Sequence, residues 1–143
     1  MSTEINTASR DAKISHILKN TQTIALIGAS AKPDRDSYKV MAFLIEQGYQ
    51  VFPVNPQLTG QKIQGREVYS SLNDIPVPID MVDVFRQSKY LYDIVNAAKQ
   101  CHVKFIWAQQ GVSDKQAELL ALKYNIPMIV NSCPAIEVPR LML

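Results

Sequence analysis

Cysteine is scarce in this sequence: Cys101 and Cys133 are the two present among 143 residues, far apart and without CxxC spacing. That excludes a disulfide-stapled scaffold and a cysteine-rich zinc site, and points to a reducing, cytosolic setting. Histidine is as rare, with His16 and His102 alone. One is expected on an N-terminal helix and the other at a helix end, so neither is placed for catalysis. No run of lysine or arginine occurs, and a net charge of +2 argues against a nucleic-acid surface. No apolar stretch approaches a membrane span, and Met1 to Asn6 lack the apolar core of a signal peptide. The glycine-rich nucleotide signatures are missing too: there is no GK[ST] of a Walker loop and no intact GxGxxG.

What is present is a hydrophobic content of 47%, enough for one sizeable core. The apolar residues alternate between two periods, and no internal repeat or low-complexity tract interrupts them. Ile14, Ile17 and Leu18 recur at helical spacing, with Ser9 a possible N-cap and Asn20 a possible end. Thr23 to Gly28 is a short continuous apolar run, as a strand buried on both faces requires. Val40, Phe43 and Leu44 form a helical stripe closed by Gly48, and Tyr49 to Val54 reads as a second strand.

Asn55 to Pro78, rich in proline, glycine and polar residues, reads as mostly loop with an extended piece near Glu67-Val68-Tyr69. Ile79 to Phe85 is a strand, and Ser88 is a candidate cap for a helix carrying Leu91, Ile94, Val95 and Ala98. Val103 to Trp107 is the fourth strand. Ser113 and Gln116 make a capping-box pattern ahead of Ala117, Leu120, Ala121 and Tyr124. Pro127 to Val130 gives a fifth strand, and Cys133 onward reads as a tail broken by Pro134 and Pro139. The expected fold is a single α/β domain over residues 1–143. It is Rossmann-like and doubly wound, with a five-stranded, mainly parallel sheet and helices on both faces. Residues 1–21 would form an N-terminal helix packed on it.

In such a sheet, ligands gather beyond the carboxyl ends of the strands. Gly28 to Ser37 follows the first strand: Gly28 frees the chain to turn, Ser30 supplies a hydroxyl, and Lys32 and Arg35 add positive charge. Ser37 sits where a helix begins, so its unpaired N–H groups and the cations suit a phosphate. The alternative is a βα turn that is small and polar only because turns are. The second strand ends in Asn55-Pro56 where a dinucleotide site places an acid for the ribose, which weakens an NAD(P) oxidoreductase reading. Phe85 and Arg86 form either a stacking and charge pair or a last core residue and a solvated loop charge. Gln109 and Gln110, before Gly111, offer amides to a ligand or to the following turn. Asp80 and Asp83 alternate along a strand with no base paired to them.

Ile27-Gly-Ala-Ser30, Pro53-Val-Asn-Pro56, Val82-Asp-Val-Phe-Arg86, Trp107-Ala-Gln-Gln-Gly111 and Cys133-Pro-Ala-Ile-Glu137 occur in that order. In this the chain resembles the small CoA-binding protein family, itself similar to the nucleotide-binding domain of the succinyl-CoA synthetase α subunit. The resemblance implies a domain that binds coenzyme A or an acyl-CoA through its ADP moiety. It places Gly28, Ala29, Ser30, Arg35 and Ser37 around the phosphates and Asn55 and Pro56 beside the nucleotide. Phe85, Arg86, Gln110 and Gly111 would line the rest of the groove. One departure is Asn131-Ser132, where members often carry Asp-Arg before the Cys-Pro. Cys133 is read as a buried cysteine at a strand end, because no base is placed to activate it.

The expected function is therefore non-catalytic CoA binding, with no metal, nucleic acid or membrane involved and no protein partner named. The alternatives are an NAD(P)-dependent oxidoreductase and an accessory subunit of an acyl-CoA ligase. A pure protein-interaction domain would leave the groove empty.

Overall fold

A computed structural model describes the backbone of residues 3–143 and the side chains from residue 8 onward. The expectation for Met1 to Asn6 falls outside the residues whose side chains are described. Five strands form one parallel sheet: β1 (Thr23–Ile27), β2 (Gln50–Val54), β5 (Met81–Val84), β6 (Phe105–Ala108) and β7 (Met128–Ile129). Their order is β2-β1-β5-β6-β7. A short antiparallel pair, β3 (Lys62–Ile63) and β4 (Arg66–Glu67), stands apart from it. The helices are α1 (Thr3–Lys19), α2 (Asp36–Glu46), α3 (Leu91–Gln100), α4 (Lys115–Lys123) and α5 (Pro134–Arg140). The Rossmann-like, doubly wound expectation holds.

Successive strand residues point to opposite faces, so each central strand must be apolar twice over. Ile24, Leu26, Met81 and Trp107 pack on one face against α1, α2 and α5. Ala25, Val82, Val84, Ile106 and Ala108 pack on the other against α3 and α4. Trp107 is fully buried, and its indole N–H donates to the Ser132 carbonyl at 2.9 Å. Ile14, Ile17 and Leu18 seat α1 in the first cluster, as their spacing foretells.

Several boundaries differ from the sequence reading. Helix α1 begins at Thr3, so Ser9 lies inside it rather than capping it. Asp114, not Ser113, caps α4: its carboxylate accepts the Ala117 N–H at 2.9 Å. Ser88 opens a 3-10 turn, and its hydroxyl instead accepts the Ser113 N–H at 3.0 Å. The tail beyond Cys133 is helical: Pro134 occupies a first-turn position where no N–H is needed, and Pro139 lies inside the helix, which continues although one intrahelical donor is missing.

The stretch from Asn55 to Pro78 is a packed excursion. Ile63 and Val68 are buried in the first cluster, and Tyr69 bridges to Val54 beside β2, close to the extended piece expected at 67–69. That segment covers one sheet edge. At the other edge α1 supplies cations: Lys13 donates to the Met128 carbonyl at 2.7 Å and Arg10 to the Val130 carbonyl at 3.1 Å. Both exposed edges of the sheet are thus blunted.

Candidate functional site

Strand order reverses at β1: the chain goes outward to β2, then returns to place β5 on the far side. The loops after β1 and β5 therefore diverge and leave a crevice at the carboxyl ends of the strands. Two adjoining cavities fill it. The first, of about 530 Å³, is lined by Gly28 to Lys32, Arg35 to Ser37, Asn55, Phe85 and Arg86, among others. The second, of about 410 Å³, is lined by Lys39, Val40, Gln109, Gln110, Val112 and Cys133, among others. Asp36, Phe85 and Arg86 line both, so the two are continuous.

The first cavity is built by the β1–α2 loop. The Gly28 and Ala29 N–H groups both donate to the Val54 carbonyl, at 3.0 and 3.2 Å, and so serve the turn. Asn55 is committed as well: its side-chain amide donates to the Ala29 carbonyl at 2.9 Å and its oxygen accepts the Gln57 N–H at 2.9 Å. Ser30 Oγ accepts the Lys32 N–H at 3.1 Å. What remains is the start of α2. Among the described residues, no hydrogen bond within the chain engages the N–H groups of Ser30, Ala31, Asp36 or Ser37. Among the described residues, Lys32, Arg35, Lys39 and Arg86 form no ion pair there either. Unpaired N–H groups at a helix N-terminus, ringed by cations, make a site for an anion. Asp36 is the one acid of the lining, and it opposes them in part.

Arg86 stands where the cavities meet. Its guanidinium lies over the Tyr90 ring, 4.2 Å from the centroid, with Lys89 5.2 Å from the same ring. The aromatic face holds the guanidinium by cation–π attraction without consuming its N–H donors. Phe85 itself packs against the first core cluster while lining both cavities. The stacking partner of Arg86 is Tyr90 rather than Phe85.

The second cavity has a buried acid behind it. Asp83 is fully buried in β5, in register with Leu26 on one side and Trp107 on the other. The Gln109 carboxamide lies against the acid, its nitrogen 2.8 and 3.2 Å from the two carboxyl oxygens when turned toward them. Burial pushes the Asp83 carboxyl well above its ordinary value of 3.8. The folded chain therefore keeps a proton that the unfolded chain releases near that value. The contribution of this group to stability is full below about pH 4 and is lost as pH rises toward the folded pKa. Asp83→Asn cannot ionise, so its stability relative to wild type should climb as pH rises from 4 to 7. Urea unfolding at several pH values reads this, and a constant difference would contradict it.

Of the residues expected at the site, Gly28, Ala29, Ser30, Arg35, Ser37, Asn55, Phe85, Arg86 and Gln110 line one cavity or both. Pro56 and Gly111 line neither. Pro56 starts a 3-10 turn. The Gly111 N–H is held at 2.8 Å by Asn131, one of the two residues that depart from the family pattern. Lys39, Val40, Gln87 and Val112 join the lining without having been expected there, and Cys133, buried as expected, stands at the N-cap position of α5 rather than at a strand end. A helical repeat from Asp36 to Lys39 and Val40 is the one signal that could have extended the site. His16 lies edge-on to Phe105, away from both cavities.

Among the described residues, no group of three or more His, Cys, Asp or Glu side chains could hold a metal ion, and no helix is long and apolar enough to cross a membrane. Comparisons with known proteins give the family. An uncharacterized protein of Bacillus subtilis, YneT, is 34% identical over 122 residues, covering 85% of this chain and 89% of its own. The acetate–CoA ligase (ADP-forming) I subunit alpha of Pyrococcus furiosus is 37% identical over 93 residues, 62% of this chain. The match spans only 20% of that ligase subunit. A solved hypothetical protein from Pyrococcus horikoshii superposes with a TM-score of 0.88 at 37% identity, covering 93% of this chain and 92% of the other. The family model described as CoA binding domain matches residues 22–139, from just before β1 into α5, and the chain belongs to that family.

Proposed function

We propose that the chain binds coenzyme A, free or acylated, across the switch-point crevice and carries out no chemistry on it. The observation that carries this reading is the convergence of unpaired helix N–H groups and unpaired cations on the first cavity, which opens into a second, less charged one. The phosphates would meet the N–H groups at Ser30 and Ser37 and the side chains of Arg35 and Arg86. Gly28, Ala29 and Asn55 shape that wall through backbone bonds, and Gln110 belongs to the further cavity. A nicotinamide dinucleotide is disfavoured because the end of β2 offers Asn55, whose side chain is already bonded on both sides, instead of an acid.

The 37% identity to a ligase subunit favours a second reading, an accessory module of an acyl-CoA ligase. In that case the chain would bind CoA alone and form acyl-CoA only with a separate catalytic subunit.

Thermal unfolding tests the main reading, since a ligand that binds only the folded state must raise the Tm. At a hundredfold excess over Kd the gain is about 2.7 kcal/mol. CoA should raise the Tm more than NAD or AMP. No rise with saturating CoA, or a larger rise with NAD, would overturn it.

A further inference from the structure

We propose that Asp83 is a positioning residue: from inside the core it fixes the Gln109 side chain as the wall of a subsite, in the second cavity, for the amide- and thiol-bearing arm of CoA. This rests on the CoA reading above.

Asp83 is out of place by composition. Its strand neighbours Met81, Val82 and Val84 are apolar, Leu26 and Trp107 flank it in register, and it has no exposed surface. A leucine there would pack without desolvating a carboxyl, so the acid is costly to the fold. Among the described residues its side-chain partner is Gln109. Gln109 is 5% exposed, and it lines the second cavity. The buried contact thus ends at a cavity wall, where a carboxamide carried on three rotatable bonds is held in place.

The lining of that cavity indicates what it takes. Val40, Phe85, Val112 and Cys133 supply an apolar surface, and Gln109 and Gln110 supply two carboxamides. Alternating methylene and amide groups suit such a surface, whereas phosphates are better served next door by the start of α2. Continuity through Asp36, Phe85 and Arg86 lets one ligand occupy both cavities. A wall set before binding leaves less side-chain freedom to be lost when the ligand arrives.

The test compares ligands that share the nucleotide end and differ in the arm. Affinities for CoA and for ADP are measured by calorimetry on wild type, Asp83→Leu and Gln109→Leu. Both variants should lose about five- to tenfold in CoA affinity. Their ADP affinity should stay within about twofold of wild type. Asp83→Leu should also unfold at a Tm equal to or above wild type, which a merely structural role for the acid would not give. Should Asp83→Leu fail to fold, that result contradicts the claim that the acid is costly, and Gln109→Leu still decides the subsite. Equal losses for ADP and CoA, or unchanged CoA affinity in both variants, would overturn the inference while leaving CoA binding intact. Wild type that binds ADP but not CoA would overturn the CoA reading itself, and the inference with it.

Discussion

Replacing Gly28 with alanine should destabilise the protein by about 2–4 kcal/mol, from backbone strain and overlap acting together. Gly28 has φ +89°, and a Cβ built on it would lie 2.6 Å from the Phe85 carbonyl oxygen and 2.9 Å from its carbon. Both are main-chain atoms. They cannot retreat, because the Phe85 N–H donates to the Ile27 carbonyl at 2.8 Å and pins β5 against β1. Gly60 is the control: its φ is +83°, but an added Cβ would meet nothing within 4 Å. Gly60→Ala should therefore cost only the strain, on the order of 1 kcal/mol. Urea denaturation of the two variants separates the contributions, and equal losses would show that the contact with Phe85 does not matter. This changes the meaning of the residue. From sequence, Gly28 freed the chain to turn; in the fold it also permits the close approach of one strand end to another.

The second large effect is on binding. Arg86→Ala should weaken CoA binding by about ten- to a hundredfold, the range of a charge-assisted contact to phosphate. It should leave the Tm of the unliganded protein nearly unchanged, because Arg86 makes no ion pair among the described residues and its side chain rests on Tyr90. The CoA affinity of wild type should fall with added salt more steeply than that of the variant, since one fewer charge meets the ligand. A variant whose affinity stays within threefold of wild type would remove Arg86 from the site. A variant that unfolds early would recast it as a structural residue.

The layered architecture was legible because strands buried on both faces leave continuous apolar runs while helices leave a periodic stripe. Thr23 to Gly28 and the set Leu91, Ile94, Val95 and Ala98 show the two signals side by side. Reading failed where local chemistry is ambiguous. Pro134 and Pro139 look like breakers, yet a proline in the first turn of a helix costs no hydrogen bond. The stretch from Asn55 to Pro78 carries one pair of two-residue strands, too short to leave a period.

The first cavity follows the same logic. A strand, a glycine, a polar turn and a helix start are contiguous in sequence, so Ser30, Arg35 and Ser37 could be named together. The second cavity draws on α2, the loops after β5 and β6, and the cap of α5. Only the sheet register, which sets Asp83 beside Trp107, brings Gln109 within reach of the acid. Nothing in the spacing of those residues encodes it.

The central claim is that the crevice between the ends of β1 and β5 holds coenzyme A. Native mass spectrometry of the full chain as isolated, and again after addition of CoA and NAD in equal excess, tests it most directly. The account predicts a complex of one chain with one CoA-type molecule, formed or retained in preference to NAD. A chain that stays bare in excess CoA, or that takes up NAD in its place, would contradict it.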